Sequence, residues 1–311
     1  MSLGVGIVGY GAAGRQHTVA LDGLAEAHVS AVLEPDPAVD TGTLRRAASW
    51  EAMLADPDVG LVSLCVPPGG RAGMAVAALE AGKAVLLEKP PAVSTREVDM
   101  LTAAAERAGR QIGVMLQHRL RLPDTALAAQ WRHPAVSAVL EVSRFRPPAH
   151  YRRAGWRSDP AASFGGITAH LGVHYLDLAC QLLGQPSSVR LSATRELARG
   201  IDARAAGMIE FDSGAALAFV VTAESVARSE RLQVFGPDHS LCVDNGVVTT
   251  RTGDTVATWP TPSTVELRGA VYQEMAEAVA TGRRPKRCHL EGARGVTEIL
   301  AAVVDAPAVA V

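Results

Sequence analysis

The chain has 311 residues, 48% of them hydrophobic and 20% charged, with a formal net charge of −2; that length exceeds the usual single domain and predicts two. The near-neutral charge leaves no electrostatic footprint for nucleic acid or an anionic membrane, and no apolar run reaches the ~20 residues of a membrane span. Cys65, Cys180, Cys242 and Cys288 are widely spaced with no Cys-x-x-Cys pair, which argues against a zinc ribbon or a disulfide framework.

The N-terminus carries no basic region followed by a cleavable apolar stretch, so a cytoplasmic location is expected. A short β-rich run, Leu3 to Gly9, leads into a helix from about Ala12 to Leu24. Further apolar runs follow at His28 to Glu34, Val59 to Val66, Ala84 to Leu87 and Ile112 to Gln117. Helical patterns at Ala72 to Ala81 and Ser94 to Ala108 separate the later ones, the second opening on a Ser94/Glu97 capping box. Strands that are apolar throughout and alternate with helices predict a parallel, doubly wound sheet covered on both faces. This α/β Rossmann domain is expected to span residues 1–118.

The rhythm then changes. After helices at about Asp124 to Trp131 and Gly166 to Leu183 come seven runs: Val189 to Thr194, Ala203 to Phe211, Ala215 to Ala223, Arg231 to Phe235, Ser240 to Val243, Val247 to Arg251 and Val256 to Trp259. Asp212-Ser213-Gly214, Gly236-Pro237-Asp238, Asn245-Gly246 and Thr252-Gly253-Asp254 supply turns between them. Residues 119–311 therefore predict an α+β domain with a large open, mostly antiparallel sheet, closed by helices at about Gly269 to Thr281 and Leu290 to Val304.

Gly9, Gly11 and Gly14 form Gly-x-Gly-x-x-Gly between the first strand and the first helix. The first glycine makes the turn, the second admits a pyrophosphate and the third permits helix–strand contact. The helix N-terminus, with Ala12 and Ala13, turns free N–H groups toward the phosphates. Glu34, twenty residues on, suits the adenosine ribose hydroxyls and repels a 2′-phosphate, which favours NAD over NADP. Only three of the thirty basic residues are lysines, so Lys89 in Glu88-Lys89-Pro90, just past the fourth strand, stands out. A lysine there can stabilise an alkoxide. His170, His174 and Asp177 follow at intervals of four and three, which on a helix gives one face. That trio could hold a metal, relay a proton or satisfy itself internally.

The Gly-x-Gly-x-x-Gly, the Glu-Lys-Pro and the later Gly165-Gly166…His174-x-x-Asp177, in this order, resemble the glucose–fructose oxidoreductase / inositol dehydrogenase (Gfo/Idh/MocA) family from residue 3 to about 300. The resemblance implies a nicotinamide-dependent enzyme that oxidises a sugar, sugar-acid or cyclitol hydroxyl or reduces the ketone, without a metal. It implies Lys89 and His174 as the catalytic pair and Gln117, Arg119, Trp156 and Arg157 as residues bordering the sugar; His170 is expected to line the same pocket. Cofactor contacts are then expected from Gly9, Gly11, Ala12, Ala13, Gly14, Glu34, Pro67, Glu88 and Lys89. Two positions depart from the family pattern: Arg71 stands where a histidine is usual, and His170 where Asp or Asn is usual. They keep open a catalytically inert dinucleotide-binding sensor or partner subunit, and a redox-neutral lyase or isomerase that uses bound NAD transiently. Arginines at 119, 121, 144, 146, 152, 153 and 157 suggest a carboxylate- or phosphate-bearing sugar. Strands apolar on both faces suggest a homodimer or homotetramer built through the second domain's sheet.

Overall fold

The computed structural model describes residues 2–127, 129–152, 156, 159–198 and 200–306, which form two compact units. The first comprises residues up to Ala92, Arg96–Gln117 and Ser263–Ala293; the second comprises Val93–Thr95, His118–Pro262 and the residues from Arg294 on.

In the first unit β1 (Leu3–Val8), α1 (Ala12–Leu21), β2 (Ala27–Leu33), α2 (Trp50–Ala55), β3 (Leu61–Leu64), α3 (Arg71–Glu80), β4 (Ala84–Leu87), α4 (Thr95–Ala108) and β5 (Ile112–Val114) follow in turn. The five strands pair in parallel in the order β2-β1-β3-β4-β5. Strands β3, β4 and β5 are buried at every residue, which is why they read as unbroken apolar runs. The order reverses at β1/β3, the switch point where such sheets bind ligands beyond their carboxyl ends.

In the second unit β6 (Ser137–Ser143), α5 (Pro148–Arg152) and α6 (Pro160–Ser163) precede a π-helical segment, Thr168–Gly172. Then come α7 (Val173–Leu183), β7 (Pro186–Ala198), β8 (Ile201–Phe211), β9 (Ala216–Thr222), β10 (Ser229–Phe235), β11 (His239–Asp244), β12 (Val247–Thr252) and β13 (Thr255–Trp259). The chain returns to the first unit with α8 (Thr264–Thr281), and α9 (Arg294–Val304) lies in the second. The eight strands run β13-β12-β11-β10-β6-β9-β8-β7. Every pair is antiparallel except β6 with β9. Helices α7 and α9 pack together, α9 also lying against β7 and β8.

Several elements differ from the sequence expectation: the short α2 was not expected, and the helix expected at about Asp124 to Trp131 forms only 3₁₀ turns, Asp124–Leu127 and Ala129–Trp131. Strand β6 was not expected, although Ala138, Leu140 and Val142 face inward and Ser137, Val139 and Glu141 outward; that period of two was present but short. The anticipated helix from Gly166 begins instead as a π turn. The segment Ser263–Ala293, expected in the second domain, clusters with the first unit because Val114 N–H donates to the Cys288 carbonyl (2.8 Å), covering the β5 edge. Helix α8 also begins five residues before the expected Gly269, on a Ser263/Glu266 capping box.

Candidate functional site

The carboxyl ends of the first unit's strands gather most of the expected cofactor residues. Gly9 leaves β1 at φ +87°, a conformation that L side chains rarely adopt. A Cβ on Gly14 would enter the Gly9 carbonyl oxygen, so the third glycine is a packing glycine. A Cβ on Gly11, the N-cap of α1, would meet nothing within 4 Å; the backbone is open there, with Ala12 and Ala13 opening the helix behind it. A tight turn, an open approach and a close helix contact are what a pyrophosphate-binding turn requires. The residues present therefore fit a dinucleotide.

Glu34 follows β2. Its Oε2 accepts from the Tyr10 N–H (2.8 Å) and its Oε1 from the Asp36 N–H (3.1 Å), joining the acid to the glycine-rich turn. Arg46, which sequence reading did not consider, donates to the carbonyls of Glu34, Asp36 and Val39 and holds that loop. Pro67 is half-buried in the turn after β3. Arg71, first residue of α3, is buried and donates to the carbonyls of Val66 (3.4 Å) and Pro90. Burial lowers its pKa to about 10, against the raising pull of Glu88 and Glu97. The residue that departs from the family pattern thus braces the Lys89–Pro90 corner. Gln117 begins the short 3₁₀ turn after β5; it is buried, and its Oε1 has no hydrogen-bond partner among the described residues.

In the second unit the expected one-faced trio is not formed. The π turn changes the residues-per-turn count between His170 and His174, and their rings have different neighbours. His170 lies parallel to Tyr151 at 5.9 Å between centroids and meets Trp156 edge-on at 6.2 Å. His174 stacks on His118 at 4.4 Å, and His118 meets Tyr175 edge-on at 5.2 Å. Tyr175 Oη donates to Glu230 Oε2 (3.0 Å), linking that stack to β10. His118 was missed, because a histidine outside any motif gives no sequence signal. Asp202 of β8, also missed, accepts from Gly166 N (2.7 Å), Thr168 N (3.0 Å) and Thr168 Oγ1 (2.6 Å), anchoring the start of the histidine-bearing helix. Any side chain on Gly166 would run into the Asp202 backbone, and Gly165 before it has φ +98°, which together account for the Gly-Gly.

Two expectations meet other partners. Arg119, expected to border the sugar, forms a two-pronged pair with Asp177 through its Nε and Nη2 (2.8 and 2.7 Å), and both side chains are buried. The fork geometry of guanidinium and carboxylate favours that internal partner. The same pairing removes Asp177 from a metal site with the two histidines. The arginine rim is also reduced, because Arg144 donates to Glu230. Arg153 and Arg157 lie outside the described residues.

A parallel Rossmann unit with an open glycine turn, joined to an α+β unit built on a large open sheet, defines a two-part dinucleotide-binding protein. Residues 3–116 match the family described as "Oxidoreductase family, NAD-binding Rossmann fold", and residues 135–242 match the "GFO/IDH/MocA C-terminal domain". The chain belongs to the Gfo/Idh/MocA family. It is 32% identical over 193 residues to a D-xylose 1-dehydrogenase (NADP(+)) of Haloferax volcanii, covering 61% of this chain and 57% of that one. It is 28% identical over 247 residues to a scyllo-inositol 2-dehydrogenase (NADP(+)) of Bacillus subtilis, covering 76% and 67%. The matched stretches thus span between half and about two thirds of these curated relatives' lengths. Among solved structures, a levoglucosan dehydrogenase in complex with NADH shares the fold, with a TM-score of 0.84 at 20% identity, covering 98% of this chain and 96% of that one.

Proposed function

We propose that this protein is an oxidoreductase that transfers hydride between a nicotinamide dinucleotide and a hydroxyl-bearing or ketone carbon of a sugar or cyclitol. The observation that carries the reading is the carboxyl edge of the Rossmann sheet, where the turn open at Gly11 follows β1 and Lys89 follows β4, with β3 between them. The names of the relatives, which act on xylose and inositol, support the substrate class.

In this reading the backbone of Gly9, Gly11, Ala12, Ala13 and Gly14 holds the pyrophosphate, Glu34 the ribose, and Pro67 and Glu88 border the nicotinamide side. When bound, the nicotinamide supplies or accepts the hydride. The Lys89 ammonium donates to the reacting oxygen and stabilises its negative charge. His174 takes the hydroxyl proton on oxidation and returns it on reduction; its stacking on His118 fixes the ring plane. Gln117, Trp156, His170 and Arg157 contact the sugar. With Arg119 and Arg144 engaged by carboxylates, the reading favours a neutral sugar or cyclitol over an anionic one.

Glu34 supports NAD as the preferred cofactor, although both relatives named above carry NADP(+) in their names. We also place the protein in the cytoplasm, since Cys65, Cys180, Cys242 and Cys288 are free thiols, and as a homo-oligomer paired through its open sheet. The test is to incubate the protein with NAD+ and a panel of aldoses, anhydrosugars and inositols while following the NADH absorbance band. Substrate-dependent NADH formation is expected. Tight NAD binding without reduction by any member would overturn the reading.

A further inference from the structure

His17, on α1 three residues after Gly14, belongs to no motif weighed above, yet it is fully buried. Its Nε2 lies 2.9 Å from Glu88 Oε1 and its Nδ1 lies 2.6 Å from Tyr272 Oη. Tyr272, on α8, donates its own hydroxyl proton to Ser63 Oγ at 3.0 Å, and Ser63 Oγ, itself 3.1 Å from Nδ1, has Cys65 Sγ at 3.7 Å to receive its proton, so both oxygens are left to accept from Nδ1. Both ring nitrogens of His17 can then act as donors, which is the hydrogen-bonding pattern of an imidazolium. Glu88 completes the chain: its Oε2 accepts from the Lys89 backbone N–H at 2.9 Å.

We propose that His17 and Glu88 form a buried imidazolium–carboxylate pair that fixes the Lys89 backbone and sets the charge felt by its ammonium, making His17 a positioning residue for Lys89. The groups facing the pair are Tyr272 of α8, Ser63 at the end of β3 and Cys65 just beyond it, with Lys89 itself and, acting through space on Glu88, Arg71 and Arg268. Burial by itself would neutralise both members. For His17 it is outweighed by Cys65, Tyr272 and Glu88, which raise the imidazole well above its ordinary value. For Glu88 it is outweighed chiefly by the hydrogen bond from His17, which brings the carboxyl down to about 2. Arg71 holds the opposite side of the same corner through the Pro90 carbonyl. The lysine is therefore gripped from the residue before it and the residue after it.

The catalytic part of this proposal rests on the function proposed above; the electrostatic part does not. Lys83, Lys89 and Lys286 are the chain's only lysines, so isotope-labelled reductive methylation of the full chain makes the Lys89 titration readable by NMR. His17→Gln leaves the carboxylate uncompensated beside the ammonium and raises the Lys89 pKa. Glu88→Gln removes the nearer charge and lowers it, each change being about half a pH unit or more. Tyr272→Phe keeps the packing, deletes the Nδ1 acceptor and shifts Lys89 the same way as His17→Gln, by less. In the unaltered protein both His17 ring nitrogens stay protonated at mildly alkaline pH. In turnover, His17→Gln lowers kcat more than it raises sugar KM, and has no further effect on kcat when Lys89 is already Ala. A neutral His17 in the unaltered protein, or Lys89 shifts of one sign or none in the Gln variants, would overturn the proposal whatever the activity. Opposite shifts in a protein that reduces no NAD+ would uphold the pair and sink the hydride-transfer reading instead.

Discussion

Glu34 has two tasks that a substitution can separate. Its oxygens hold the Tyr10 and Asp36 amides, yet a carboxylate has lone pairs left for two ribose hydroxyls. NAD is expected to bind at least tenfold tighter than NADP, because a 2′-phosphate would face a carboxylate at close range. Glu34→Ser should narrow that gap, and equal affinities in the unaltered protein, read by NADH and NADPH fluorescence titration, would remove Glu34 from the ribose. The His17–Glu88 pair gives a second residue-level expectation, for stability. Glu88 is lowered from an ordinary 4.5 to about 2, so its contribution is present above 4.5 and is lost as pH falls toward 2. His17 is raised above an ordinary 6.5, so its contribution is complete below 6.5 and is lost as pH climbs through the raised value. Stability from the pair should therefore peak between those ordinary values, and Tm should decline on the alkaline side in the unaltered protein but not in His17→Gln. At this scale the sequence showed residues inside motifs and hid the others. Lys89 and Glu34 sit at fixed offsets from strands, whereas His17 and His118 owe their places to partners far along the chain, Tyr272 and His174.

The glycine-rich turn carries the clearest element-level contrast. Gly11→Ala meets no protein atom, and Gly14→Ala enters the Gly9 carbonyl. Gly14→Ala should therefore lower Tm by several degrees and weaken the cofactor as a consequence. Gly11→Ala should leave Tm within about a degree of the unaltered protein yet raise the dinucleotide Kd at least tenfold, because its methyl occupies the pyrophosphate approach. Equal losses of stability in both would mean that Gly11 too is only a packing glycine. The six-residue α2 was too short to show a period, but strands β1, β3, β4 and β5 were legible because nearly every residue in them is buried. The π turn was not, since Asp202, which anchors it from β8, lies 32 residues after His170 in the sequence and no local pattern announces it. Strand β6 was overlooked for a different reason: its alternation is short, and its place between β9 and β10 is set by long-range pairing.

Across the second unit, helices α7 and α9 pack on β6, β7, β8 and β10, while other positions of these strands stay exposed among the described residues. Strand register sets Gln233, Val139, Ala218, Met208 and Arg190 in a single row across five strands. Val139 and Met208 are 50% and 52% exposed, and Phe235, two residues along from Gln233, is 42% exposed. Such a run of apolar side chains is unusual on a surface meant for water, and an isologous pairing would cover it. The unaltered protein should sediment as a dimer or larger at micromolar concentration, and Met208→Lys should shift it toward monomer with little change in Tm. A monomer from the start would leave the face to another partner. This surface was foreseeable from strands apolar on both alternating sides. The return of Ser263–Ala293 to the first unit was not, because chain order alone does not reveal that a late segment covers an early strand edge.

The central claim is that this chain moves hydride between a nicotinamide and a carbinol carbon, and isotope transfer tests it most directly. The best substrate of the sugar and cyclitol panel would be prepared with deuterium on its oxidised carbon, incubated with NAD+, and the dinucleotide analysed by mass spectrometry. The account predicts one deuterium in each molecule of NADH formed, and turnover reduced at least a hundredfold in Lys89→Met and in His174→Ala. NADH that carries no deuterium, or a converted sugar with no NADH formed, would contradict it.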